Sequence, residues 1–186
     1  LFRSVGLIRK DESFSLPIKL LSGLILLSLI MSFYGYSQFN IEVGYNNTTG
    51  SVDMNIMGAQ MSYDASANDI YLGASYNITL SETLFIQPAL FFGGDMTHIP
   101  VSLGYVTSEK LNLLAGLSSL STSEGGMGLK KSAIGINLGA TYNISEKMGL
   151  NLRYHSDLSN RLDDTSIWGD SELKISSLKF GLSYTF

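Results

Sequence analysis

The sequence predicts an all-β fold: one antiparallel sheet of eight strands, wound up and down and closed into a transmembrane barrel. Three observations carry this. Apolar residues recur at every second position in segment after segment, the period of a strand with one greasy and one wet face. Three short connections share one pattern, Tyr76 ahead of Ser81-Glu82, Tyr105 ahead of Ser108-Glu109 and Tyr142 ahead of Ser145-Glu146, each followed directly by a hydrophobic strand. Charged residues make up only 15% of 186 residues, whereas Gly numbers 19, Tyr 10 and Phe 9. Such a composition is unusual for a soluble globule, and the chain offers room for one domain.

In chain order, Phe39, Ile41, Val43 and Tyr45 alternate with Asn40, Glu42, Gly44 and Asn46 to give the first strand. Periodicity then lapses, and 47–68 reads as a long loop whose middle, 54–63, is able to extend the flanking strands. Ile70, Leu72, Ala74, Tyr76 and Ile78 form strand two, and Leu84, Ile86, Leu90 and Phe92 strand three, where Pro88 predicts a bulge because it has no N–H for the ladder. Val101, Leu103 and Tyr105 make strand four, Leu111, Leu113, Ala115 and Leu117 strand five, Ile134 to Ile144 strand six, and Met148, Leu150, Leu152 and Tyr154 strand seven. The last strand carries Leu178, Phe180, Leu182, Tyr184 and Phe186 on one face, and the opposite parity of Leu173 and Ile175 predicts a second bulge at Ser176-Ser177. Longer loops are expected at 47–68, 93–99, 120–132 and 157–172, all at the end opposite the Ser-Glu turns.

The terminal strand, an alternating stretch that ends on Phe186, resembles the closing strand of bacterial outer-membrane β-barrels, in which a C-terminal aromatic is read by the insertion machinery. Over 38–186 the chain is similar to the small OmpA/OmpX-type barrels. The resemblance implies residence in the outer membrane, Phe186 as insertion signal, and outer-membrane lipid, lipopolysaccharide and the barrel-assembly machinery as partners. It also implies a structural or surface-interaction role exercised through extracellular loops on an extracellular protein ligand, with no peptidoglycan-binding domain appended. Tyr76, Tyr105, Tyr142, Tyr184 and Phe186 would form the periplasmic aromatic girdle, with Tyr45, Phe92 and Trp168 towards the outer one. A secreted β-sandwich also alternates. The regular hairpins and the Tyr beside each short turn favour the barrel over it.

The N-terminus reads as an address. Lys19, an uncharged apolar stretch over 20–34, and small residues at Gly35 and Ser37 have the order of a secretory signal peptide over 17–37, cleaved after Ser37. Residues 1–16 fit neither signal nor fold and read as an upstream segment. The barrel domain is then 38–186, retaining eight basic and fourteen acidic residues. That balance excludes nucleic acid as a partner class. Without cysteine there is no disulfide or thiolate metal site.

Eight strands leave an interior just wide enough for side chains. The inward parity collects Asn40, Glu42, Asn46, Asn77, Gln87, Asn112, Asn137, Asn143, Asn151, Arg153, His155 and Lys179, and a polar network of Glu42, Arg153 and Lys179 is expected in the lumen. An enzymatic alternative rests on residues 153–160, which loosely resemble the His-x-Ser-Asn element of outer-membrane lipid A deacylases; its catalytic candidates are His155 with Ser156 or Ser159. A narrow channel for small solutes is a further alternative. His98 is expected in the second outer loop, with too few neighbours for a metal, and no cofactor is implied. The outer loops lean acidic, with Asp53, Asp64, Asp69, Asp95, Glu124, Asp157, Asp163, Asp164, Asp170 and Glu172 outnumbering Lys130, Lys131 and Arg161.

Overall fold

The structure, a computed structural model, describes residues 37–56, 59–123, 130–162 and 171–186. The expected upstream segment and signal peptide lie outside these residues apart from Ser37, as do Glu124, Asp163, Asp164, Trp168 and Asp170. Eight strands follow one another: β1 (Ser37–Ile56), β2 (Ala59–Thr79), β3 (Leu84–Gly93), β4 (Met96–Ser108), β5 (Leu111–Thr122), β6 (Ser132–Asn143), β7 (Met148–Asp157) and β8 (Glu172–Thr185). Each pairs antiparallel with the next, and β8 returns to β1, so the sheet is a closed barrel. Closure leaves no free edge at membrane depth, which a spanning sheet requires because lipid offers backbone groups no partner.

The Ser-Glu repeats have a local explanation. In the β2–β3 connection Ser81 Oγ accepts from the backbone N–H of Thr83 and Leu84, while Leu80 and Ser81 donate to Leu84 O. Ser145 does the same between β6 and β7, accepting from Lys147 and Met148, with Ile144 and Ser145 donating to Met148 O. A serine at that position satisfies the orphan donors of a four-residue turn. The third turn, between β4 and β5, is two residues long, and the ladder absorbs the difference by a register shift between Val106 and Ser108. Both chain ends of the barrel lie beside these turns, where Phe186 N–H donates to Phe39 O.

At the opposite end several expectations give way. Residues 47–56 and 59–68 form a continuous ladder from Asn47↔Asn68 to Ile56↔Ala59, since the Thr, Val and Tyr among them suit a strand better than the polarity of the stretch suggests. The 93–99 loop is the two-residue turn Gly94-Asp95, with Gly94 at φ 54°, so β4 starts at Met96. Pro88 interrupts pairing with β2 without changing register, because Ser75↔Ala89 and Ile78↔Ile86 keep the same offset. No bulge occurs at Ser176-Ser177 either. The β1–β8 register is constant from Asn40↔Thr185 to Asp53↔Glu172, so Leu173 and Ile175 share the parity of the inward residues Ser177 and Lys179 and are half-buried.

Inside, large rings sit over glycines. A Cβ added to Gly44 would fall 2.2 Å from Phe180 O and 2.5 Å from Gly181 Cα, and one added to Gly181 would meet the Tyr71 hydroxyl. Gly44 and Gly181 face each other across β1 and β8, so the pair forms a flat floor for the Tyr71 ring. Phe91 covers Gly73 in the same way and meets Tyr71 edge-on at 5.6 Å. Pairing small with large is how an eight-stranded interior reaches packed density. Gly44→Val meets backbone, which cannot rotate away. It is expected to cost about 1–3 kcal/mol or more and to lower the fraction of refolded protein that migrates as heat-modifiable barrel on a denaturing gel.

Candidate functional site

The lumen is built from the inward positions of all eight strands, and it divides into an open polar vestibule and a filled plug. The vestibule, a cavity of about 390 Å³ at the short-turn end, is lined by Gln38, Asn40, Asn77, Asn112, Asn143 and Asn151, with Glu42 and Arg153 also on its wall. Arg153 on β7 crosses the lumen. Its Nη2 donates to Glu42 Oε2 on β1 at 3.2 Å and to Gln87 Oε1 on β3 at 2.9 Å, while its guanidinium lies 5.1 Å over the Phe91 ring. Tyr71 donates to the other Glu42 oxygen, and Gln87 passes the chain on to Asn77 at 2.7 Å. Glu42 and Arg153 are almost wholly shielded from solvent, so each needs the other.

Lys179 stands apart from the network expected for it. Cross-strand it lies opposite Asn46 and Arg153 rather than Glu42, which pairs with Ser183, and its Nζ donates to Ser177 Oγ at 2.7 Å. The reason is a matter of register: four residues separate Lys179 from the level of Glu42 on β8.

Above the crossing lies a second cluster that sequence reading largely missed. Ser118 Oγ on β5 and His155 Nδ1 are 2.7 Å apart, and His155 Nε2 is 2.9 Å from Asp157 Oδ1. Asp157 is further bound by Arg161, whose Nη2 donates at 3.2 Å, and by the Ile175 N–H at 2.9 Å. Arg161 also donates to Leu120 O, folding the β7–β8 connection into the barrel mouth. Asp157 and Arg161 are therefore interior partners and not solvated loop charges; their spacing of four residues was the available signal. His98, expected in a loop, points inward from β4 and meets His155 edge-on with ring centroids 5.0 Å apart.

Serine, histidine and aspartate in sequence are the residue types of a nucleophile, base and orienting acid. Here all three are buried, and the acid is bound to other groups. Ser118, His155 and Asp157 are 4%, 1% and 3% exposed, and Asp157 spends its oxygens on Arg161 and a backbone N–H as well. The nucleophiles expected from the sequence are not in contact with His155: Ser156 lines a shallow surface depression with Tyr154 and Ser176, on the other side of the strand, and Ser159 lies beyond the end of β7 at an exposed bend. Among the described residues no group of three or more His, Asp or Glu side chains is arranged to hold a metal.

The outer face reverses the usual order of a globular protein. Ile41, Val43, Leu72, Phe92, Val101, Leu103, Leu113, Leu138, Leu152, Phe180 and Leu182 all point away from the interior and are exposed, while charged and amide groups are buried within. Tyr105, Tyr142, Tyr184 and Phe186 ring the short-turn end, with Tyr45 and Phe92 towards the other. An apolar belt around a closed sheet, flanked by aromatics, is a surface made for lipid. The chain is a closed transmembrane β-barrel.

No protein-family model matches the chain, and no curated relative matches it. Solved structures similar to it include Ail, the attachment invasion locus protein of Yersinia pestis, at 12% identity and TM-score 0.47 over 81% of this chain and 99% of that one. Neisserial surface protein A is similar at 14% identity and TM-score 0.46, over 80% and 97%. The outer membrane protein OprG of Pseudomonas aeruginosa follows at 13% and 0.42, over 81% and 96%. The assignment to the membrane stands on the chain's own faces.

Removing one member of the crossing pair should be worse than removing both. Glu42→Gln is expected to destabilise the barrel by about 3–5 kcal/mol by leaving Arg153 without an anion, whereas Glu42→Gln combined with Arg153→Met recovers part of that loss. Urea unfolding in detergent, followed by Trp168 and tyrosine fluorescence and by gel mobility, measures both.

Proposed function

We propose that this barrel is a non-conducting surface-interaction protein whose working part is the β1–β2 hairpin. The observation that carries the reading is an unpaired edge. β2 pairs with β1 along its whole length but with β3 only from Tyr71 onward, so among the described residues no strand pairs with 59–68 on the other side of β2. Both faces of 61–68 are exposed, and Met61 and Tyr63 stand free in solvent. An edge of this length presents a row of N–H and C=O groups to any extended segment that adds itself as a further strand. Asp53 and Asp64 beside it favour a partner segment carrying Lys or Arg. An extracellular protein with such a segment is the ligand class proposed.

The interior supports the same reading. Arg153, Gln87, Tyr71, Phe91, His98, His155 and Arg161 fill the lumen above the vestibule, which speaks against a channel, and the burial of Ser118, His155 and Asp157 speaks against a hydrolase. The remaining partners of the proposal are those the sequence resemblance implies. Export by a signal peptide at 17–37 delivers the chain to the barrel-assembly machinery, which would read Phe186; that ring is exposed and packs on Phe39 and Tyr184 at 5.9 and 5.0 Å. Lipopolysaccharide would meet the outer half of the apolar belt.

A photoactivatable amino acid placed at Tyr63 on living cells is expected to give protein adducts, and the same probe at Leu80, in a short turn, to give none of them. Equal labelling at both positions, or none at Tyr63, would remove the basis for the hairpin as the binding element. In planar bilayers the purified barrel is expected to show no conductance steps.

A further inference from the structure

Beside His98 the lumen holds a small void of about 10 Å³, walled in part by Asn46, His98, Lys179, Tyr71 and Leu120. Two of these walls carry polar atoms with nothing to bond, and a third has donors to spare. Neither ring nitrogen of His98 has a hydrogen-bond partner, although the residue is 2% exposed. Asn46, equally buried, leaves Oδ1 unpartnered while Nδ2 donates to Thr48 Oγ1 at 2.9 Å. A half-turn of that amide exchanges the two ends, so that the hydroxyl donates to the carbonyl and the NH₂ faces the void. Lys179, 4% exposed, has three N–H donors and uses one on Ser177. Polar groups with bonding capacity to spare therefore line one small space.

Charge decides what fills it. The buried ionic groups described in the lumen are Glu42 and Asp157 against Arg153, Arg161 and Lys179. Both anions are committed, Glu42 to Arg153 and Tyr71, Asp157 to Arg161, His155 and the Ile175 N–H. Lys179 is left with a neutral hydroxyl and has Arg153 as its cross-strand neighbour. Among the described residues no carboxylate bonds its ammonium, and a charge held out of water without a bonded counter-charge carries a penalty of several kcal/mol. The void has the size of about one water molecule, too little for sulfate or phosphate. A water would answer the donors but not the charge; a monatomic anion answers both.

We propose that Lys179, His98 and Asn46 form a buried site for a single monatomic anion of halide size, chloride being the common one. The ion neutralises Lys179, accepts from the ammonium, from whichever His98 nitrogen carries the proton and from the Asn46 amide, and is enclosed as the barrel closes. It belongs to the folded state, so its binding adds to stability by mass action.

The test is a comparison of salts at equal ionic strength. The unfolding temperature of the refolded barrel in detergent is expected to rise by about 5–10 °C when bromide or chloride replaces gluconate at a hundredfold excess over its dissociation constant. Lys179→Met is expected to abolish that difference, and Lys110→Met, on an exposed turn, to retain it. In crystals grown with bromide, anomalous scattering should place one ion in contact with Lys179 Nζ and His98. An unfolding temperature indifferent to the halide, a halide effect that persists in Lys179→Met, or the lack of a bromide peak at this place each overturns the proposal; should Lys179→Met fail to fold, the bromide peak in the wild-type crystal decides.

Discussion

A sheet in lipid must pair every backbone N–H and C=O within itself, and the other features of this chain are consequences of that demand. It forces β8 back onto β1. Closure at eight strands then fixes a narrow interior, which must be filled by side chains rather than by a second layer. Apolar residues are claimed by the lipid face, so the filling is made largely from amides, hydroxyls, ions and a few rings over glycines. Those polar groups are kept from water and are obliged to satisfy one another. Glu42, Arg153, Gln87 and Tyr71 do so in the middle of the barrel, as do Ser118, His155, Asp157 and Arg161 towards its mouth.

The same demand lapses once a strand leaves the membrane. β1 and β2 are 20 and 21 residues long, against the roughly 9–11 that span a bilayer. Past the rim, water can satisfy an unpaired edge, and the hairpin is free to present one. The molecule therefore combines a closed body with an extension of β2 that, among the described residues, pairs with a strand on one side only.

Strand number, order, closure and the location of the short turns were all legible in the sequence, because period-2 alternation and a repeated turn serine are local signals. Most inward residues were legible for the same reason, since parity alone assigns Glu42, Gln87, Arg153 and His155. What parity does not reveal is who meets whom across the lumen. Lys179 shares a face with Glu42, yet it sits two inward positions higher and bonds Ser177. Nor does it show where strands end: polarity at 47–68 suggested a loop although the backbone continues as a ladder, and His98 was placed in a loop that proves to be a two-residue turn. Asp157 and Arg161 looked like solvated loop charges because the fold-back that buries them depends on contacts with Leu120 and Ile175, far off in sequence.

The Arg153 crossing has a bearing on how the barrel assembles. Its two partners are 111 and 66 residues away along the chain, on strands that become its neighbours in space only when the cylinder is complete. A growing sheet that lacks either wall gains nothing from the guanidinium and must keep it hydrated. The bond set is thus a checkpoint at the final step, rewarding the closed product alone and giving half-formed sheets no resting place along the route.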